Sequence, residues 1–190
     1  MNESIRTILK EQEILNDNGK YATINKETGE IIHKLIKEKN PKVVLEIGTS
    51  IGYSGIWIAS ALISDSKLIC IDRWKERAEI ARNFFEKSKL NITLVEGNAL
   101  EVIPKLNEVF DAIFLDATKS EYMKYLNLLI ESNKLGKNAL IIADNTLERK
   151  GIPDKTISHK ERMAEFMAFA EKHNAKTLEI GSGLTYFTLD

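Results

Sequence analysis

Val43-Val44-Leu45-Glu46-Ile47-Gly48-Thr49-Ser50-Ile51-Gly52-Tyr53-Ser54 is the stretch from which the fold can be read. Its first five residues form a run of strand length, Gly48 and Gly52 bracket a turn, and Tyr53 opens a segment that keeps helical spacing to Leu62. The same unit recurs downstream. Leu68 to Ile71, Ile92 to Val95, Ala112 to Leu115 and Leu140 to Ala143 are further apolar runs, continuous rather than alternating, as strands covered on both faces require. Between them Lys75 to Lys87, Leu100 to Leu106 and Glu121 to Ser132 repeat apolar residues at three and four, as in Ala78, Ile80, Ala81, Phe84 and Phe85. Strands alternating with helices predict a parallel sheet with crossover helices. Two helices are expected ahead of it, Ser4 to Leu15 and Lys26 to Lys39, the second capped by Asn25 and stopped at Asn40-Pro41. A helix over 160–172 and two runs, Thr177 to Ile180 and Leu184 to Leu189, around Gly181-Ser182-Gly183 close the chain as an antiparallel hairpin. The predicted class is α/β, a doubly wound sheet that is mostly parallel with a C-terminal antiparallel hairpin and helices on both faces. One domain is expected, with 1–40 as a helical cap and 41–190 as the core.

Composition narrows the function classes. The 27 Lys+Arg residues nearly balance 28 Asp+Glu, for a net charge of -1, which argues against a constitutive coat on nucleic acid. The single cysteine, Cys70, excludes an intrachain disulfide and a Cys-rich zinc site and fits a reducing compartment. The most apolar stretch, Tyr53 to Ile63, falls short of the about 20 apolar residues a bilayer span needs. Glu3, Arg6, Lys10 and Glu11 break up any signal-peptide core at the amino terminus. A soluble, cytoplasmic protein without a membrane partner is expected.

In open α/β sheets, ligands bind beyond the carboxyl ends of the strands, at the reversal of strand order. Glu46, Asp72, Glu96, Asp116 and Asp144 all lie at or just past such ends. Any one of them could cap the following helix; five together call for more. Right-handed crossovers with one reversal put the first strand in the centre, the second and third to one side, and the fourth and fifth to the other. With neighbours ~4.8 Å apart, Asp116, Asp144 and the Asn145 amide can reach one point, where oxygen donors suit Mg2+ or another divalent cation. A plain turn at Asp144-Asn145 is the alternative. The turn after the first strand has the spacing Gly-x-x-x-Gly, which disfavours a dinucleotide. Asp72 is placed to accept from ribose hydroxyls, and ribose without pyrophosphate points to S-adenosylmethionine. Gly48-Thr49-Ser50-Ile51-Gly52 also satisfies the nucleophile-elbow pattern, with Asp144 and then His159 or His173 in chain order. That serine hydrolase would lie on the first strand of a small domain, with no oxyanion loop and no task for Asp72, Asp116 or Asn145.

These residues resemble the cation-dependent class I O-methyltransferases, the family of catechol and caffeoyl-CoA O-methyltransferases and their small bacterial and archaeal relatives. Val44 to Ser54 is similar to the first cofactor motif and Phe110 to Lys119 to the metal and base motif. Ala143-Asp144-Asn145 is similar to the second metal motif, and Ile180 to Thr185 to the closing hairpin. The resemblance implies a Rossmann-like methyltransferase fold in which Asp116, Asp144 and Asn145 hold Mg2+ or a similar ion. It implies Lys119, with Asp116, as the catalytic group beside the acceptor hydroxyl. Ile24, Glu46, Gly48, Ser54, Asp72, Asn98, Ala99 and Asp116 would contact S-adenosylmethionine. A homodimer is implied by the family alone.

Departures bear on the acceptor. Relatives acting on catechols carry a tryptophan shortly after the Asp-Asn pair and bulky residues after the first metal aspartate, where this chain has Glu148 and Ala117-Thr118. Arg149 and Lys150 add charge there. Trp57 reads as helix core, and Trp74 as a flank of the adenine. A small-molecule hydroxyl of catechol type is the expected acceptor, with 147–158 and the N-terminal helices as a lid. The alternatives are a hydroxyuridine in tRNA, reached over a basic rim of Lys10, Lys20, Lys26, Arg149, Lys150, Lys155 and Lys160, and a sensor that binds the cofactor without turnover.

Overall fold

The computed structural model of the chain describes residues 1–147 and 159–190, the last segment with only the backbone of residue 159. Among the described residues seven strands form one sheet: β1 (Val43–Ile47), β2 (Lys67–Asp72), β3 (Ile92–Glu96), β4 (Phe110–Leu115), β5 (Leu135–Asp144), β6 (Lys176–Leu178) and β7 (Leu184–Leu189). Their order is β3-β2-β1-β4-β5-β7-β6, with every pairing from β3 to β5 parallel. β7 runs antiparallel to both β5 and β6. The expected central first strand, single reversal and terminal hairpin are therefore present. β5 begins five residues earlier than the apolar run Leu140 to Ala143 indicates, because backbone pairing with β4 extends to Leu135 past a register shift between Phe110 and Ala112.

Around the sheet lie the α-helices of the described residues: α1 (Glu3–Leu15), α2 (Lys26–Lys39), α3 (Tyr53–Ala59), α4 (Lys75–Ser88), α5 (Ala99–Val102), α6 (Tyr122–Glu131) and α7 (His159–Lys172). Side chains alternate across each strand, so β1 sends Val44 to one face and Leu45 and Ile47 to the other. The first face packs with Ile5, Ile8, Ile32, Ile36, Ile56 and Phe85 of α1 to α4, the second with Tyr122, Leu126, Leu129, Met163 and Phe166 of α6 and α7. α2 starts where Asn25 Oδ1 accepts from Thr28 N–H at 2.7 Å and stops at Asn40, left-handed at φ 51°. It lies close to α3 through Gly29, where a Cβ would come within 2.4 Å of Trp57 Nε1. α5 is a single turn opened by the Asn98 cap and continues as a 3-10 turn over Ile103–Lys105, where Pro104 removes a backbone donor. Among the described residues no helix is long and apolar enough to cross a membrane.

Candidate active site

The strand order reverses between β1 and β4, and a cavity of about 520 Å3 opens at the carboxyl ends of those strands. Gly48 makes the opening possible. At φ 94° it turns the chain off β1 with its Cα against the end of β4, where a Cβ would sit 2.5 Å from the Asp116 carbonyl oxygen. The turn is tied to β2: Gly48 N–H donates to Ile71 O at 2.8 Å, and Ser50 N–H donates to Asp72 Oδ2 at 2.7 Å. The other oxygen of Asp72 accepts from Trp74 N–H at 2.9 Å. Asp72 thus holds the turns after β1 and after β2 while its carboxylate faces the cavity. The Ser50 hydroxyl is buried without a partner among the described residues.

Across the reversal lie the acids of β4 and β5. Asn145, at φ 58°, directs Nδ2 to Asp116 Oδ1 at 3.2 Å and to Asp144 Oδ2. Lys119, in the 3-10 turn after β4, donates to the same Asp116 oxygen at 2.9 Å and stands over the ring of Tyr122, 5.5 Å from its centroid. The Tyr122 hydroxyl is 3.0 Å from Leu115 O and 3.0 Å from Asp144 O. Burial, then the charges of Asp116 and Asp144, push its phenol well above the usual range. Two backbone bonds, Thr146 N–H to Gly183 O at 3.1 Å and Leu147 N–H to Ser182 O at 2.9 Å, fasten the segment after Asn145 to the terminal hairpin turn.

Of the residues expected to hold a cofactor or cation, Ile24, Gly48, Asp72, Asn98, Ala99, Asp116, Lys119, Asp144 and Asn145 line this cavity together. Glu46 and Ser54 do not line it. In register Glu46 stands beside Cys70 of β2 and Phe114 of β4, on the sheet face covered by α3. There Glu46 Oε2 accepts from the Thr49 hydroxyl at 2.5 Å, and the Cys70 thiol and Ser54 hydroxyl lie near enough to favour its charged form. Complete burial raises the Glu46 carboxyl to about 7, against a smaller lowering by those groups, and lifts the Cys70 thiol as well.

The sequence did not single out Thr23, Asn25, Arg73, Arg77, Tyr125 or Ser182 as parts of the wall. Trp74, expected beside the adenine, lies at the rim and is 54% exposed, with the Arg73 and Arg77 guanidiniums 5.2 and 5.9 Å from its ring. Trp57 is core, as expected. Lys10, Lys20, Lys26 and Lys160 are exposed, and none of them lines the cavity. Glu148, Arg149, Lys150, Lys155 and all but Leu147 of the expected lid over 147–158 lie outside the described residues. The hydrolase reading lacks a base among the described side chains: His33 is held by Trp57 O and Ser60 Oγ between α2 and α3, and His173 stacks on Phe187 with Phe169 tilted against it. The side chain of His159 lies outside the described residues.

The family model for O-methyltransferases matches residues 3–188. The chain belongs to the O-methyltransferase family. Its relatives include catechol O-methyltransferase of Sus scrofa, 30% identical over 138 residues that make up 69% of this chain and 74% of that one. Caffeoyl-CoA O-methyltransferase 2 of Petunia hybrida is 38% identical over 133 residues, 66% of this chain and 54% of that one. The chain spans about half to three quarters of the length of the curated relatives it matches. Among solved structures, the O-methyltransferase from Bacillus cereus in complex with SAH is similar over 100% of this chain and 92% of that one, with a TM-score of 0.82 at 23% identity. At that identity the likeness speaks for the fold, and it is the Rossmann-like methyltransferase fold the motifs imply.

Proposed function

We propose that this O-methyltransferase family member transfers the methyl group of S-adenosylmethionine to a hydroxyl of a catechol-like small molecule, with a divalent cation at Asp116, Asp144 and Asn145. The observation that carries the reading is that one cavity joins two different binding chemistries. Gly48, Asp72, Asn98 and Ala99 make up one side, and Asp116, Lys119, Asp144 and Asn145 the other.

The donor set fits a hard cation. Two carboxylates reach for one amide nitrogen of Asn145, a convergence that like charges resist unless positive charge joins them. The Lys119 ammonium is such a charge at Asp116. Rotation of the Asn145 amide exchanges its nitrogen for its oxygen at the same point. The three oxygen donors then match the preference of Mg2+ for oxygen over nitrogen and sulfur. Two carboxylates and one amide supply three donors, and a six-coordinate ion would keep its other positions for water or acceptor.

When bound, a divalent cation lowers the pKa of an acceptor hydroxyl and orients it. The remaining work falls to the protein. Asp72 accepts from ribose hydroxyls while keeping both turns in place, and Ile24, Asn98 and Ala99 enclose the nucleoside. Lys119 is the group beside the acceptor hydroxyl, and as the neutral amine it takes the acceptor proton and becomes the ammonium that Asp116 holds. Residues 1–40 serve as a cap on the core of 41–190, and exclusion of water between them favours aligned oxygen, methyl carbon and sulfur.

The test is transfer of labelled methyl from S-adenosylmethionine to catechol with Mg2+, with EDTA, and with EDTA followed by excess Mg2+. Transfer that EDTA abolishes and Mg2+ restores is the expected result, and Asp144→Ala should lose it while still binding S-adenosylhomocysteine. Transfer indifferent to EDTA would remove the cation from the reading, and transfer only to acceptors with an isolated hydroxyl would remove the catechol.

A further inference from the structure

The pairing of β4 with β5 ends at Leu115 and Ala143, one residue short of Asp116 and Asp144. The two carboxylates therefore lie past the end of the β4–β5 ladder, each tied on its far side, Asp116 by its N–H to Ile47 O of β1 at 3.0 Å and Asp144 by pairing with Leu184 of β7. Past that point the two ends are bridged by a side chain from a third element. Tyr122, the first residue of α6, is fully buried and sets its hydroxyl 3.0 Å from Leu115 O and 3.0 Å from Asp144 O. One proton is shared between two acceptors, one on the residue before Asp116 and one on Asp144 itself. The ring is fixed independently of the hydroxyl, edge-on to Phe166 of α7 at 5.5 Å between centroids, and its face carries the Lys119 ammonium. Small shifts at such supporting contacts move the groups they orient, and sites that must bring several donors to one point are sensitive to them.

We infer that Tyr122 is a positioning residue whose hydroxyl clamps the ends of β4 and β5 at the separation that lets Asp116, Asp144 and Asn145 converge on one cation. The inference rests on the cation reading above. It assigns Tyr122 no contact with acceptor or cofactor, and it separates two tasks within one side chain: the hydroxyl sets the spacing of the carboxylates, and the ring supports Lys119 and α7. Removal of the hydroxyl alone should loosen cation binding without disturbing the nucleoside side of the cavity, which is built from β1, β2 and the segment after β3.

Tyr122→Phe keeps the ring and deletes the clamp; Phe166→Leu loosens the same packing and keeps it. Mn2+ binding, read from the loss of the free-ion paramagnetic resonance signal, and S-adenosylhomocysteine binding, read by calorimetry, are measured on the wild type and both variants, with thermal melting alongside. The expected result is a Mn2+ Kd raised about ten- to a hundredfold in Tyr122→Phe, S-adenosylhomocysteine affinity within about twofold of wild type, and near-normal Mn2+ affinity in Phe166→Leu at a comparable loss of melting temperature. Equal Mn2+ affinity in Tyr122→Phe and wild type overturns the clamp and leaves the cation reading standing. Equal weakening in both variants also overturns it, since general loosening would then account for the effect. Absence of Mn2+ binding in the wild type overturns the cation reading and the clamp with it.

Discussion

The Lys119 ammonium and Asp116 Oδ1 are 2.9 Å apart, and that same oxygen is the one Asn145 Nδ2 approaches at 3.2 Å. A single carboxylate oxygen is thus the meeting point of the proposed proton acceptor and the proposed cation site. Lys119 is three residues beyond Asp116, within the turn that leads into α6, so its reach is set by local chain geometry.

Lys119→Ala is expected to lower kcat by about 10²- to 10⁴-fold, the range over which a positioned proton acceptor acts, with S-adenosylhomocysteine affinity nearly unchanged. Single-turnover transfer measured beside calorimetric binding checks it. A parallel loss of cofactor affinity would instead make Lys119 part of the cofactor wall.

Asp72→Ala should act in the opposite pattern. Its carboxylate accepts from the backbone at Ser50 and Trp74 as well as facing the cavity, and hydrogen bonds to a charged group are worth about 1.5 to 3 kcal/mol. The S-adenosylhomocysteine Kd should rise about ten- to a hundredfold while Mn2+ affinity holds. Unchanged cofactor affinity would dismiss Asp72 as a ribose partner.

Gly48→Ala should cost stability as well as binding. The new methyl would meet the Asp116 carbonyl at 2.5 Å with the backbone at φ 94°, and backbone atoms cannot swing aside as a long side chain can. A loss of about 3 kcal/mol is expected. Gly19→Ala is the control: φ is 68° there too, but nothing lies within 4 Å, so only the strain of about 1 kcal/mol applies. Urea melts of both variants read the difference.

Glu46 makes stability depend on pH. Its carboxyl is raised by burial from 4.5 to about 7, so between those values the folded chain binds more protons than the unfolded one. Stability from this group is complete below 4.5 and is lost as pH rises through 7. Glu46→Gln does not titrate, and its stability relative to wild type should improve from pH 4 to pH 8 by about 3 kcal/mol. A difference that stays flat across that range would show Glu46 charged in the folded protein.

Much of this molecule is local in origin and so was legible in the chain. Strand runs, helical spacing, the Asn25 cap and the acids after each strand depend on neighbours a few residues away, and the handedness of crossovers then orders the strands. That reasoning brought Asp116, Asp144 and Asn145 to one place. It could not see that the pleat turns Glu46 beneath α3 beside Cys70, that Tyr122 spans from α6 to Asp144, or that Ser182 and Gly183 hold Leu147 and Thr146. Each of these joins groups by side-chain direction or by contacts between segments distant in sequence. Periodicity reports which face of an element is apolar, whereas the atoms that meet across two elements are chosen only when the whole sheet and its helices close together.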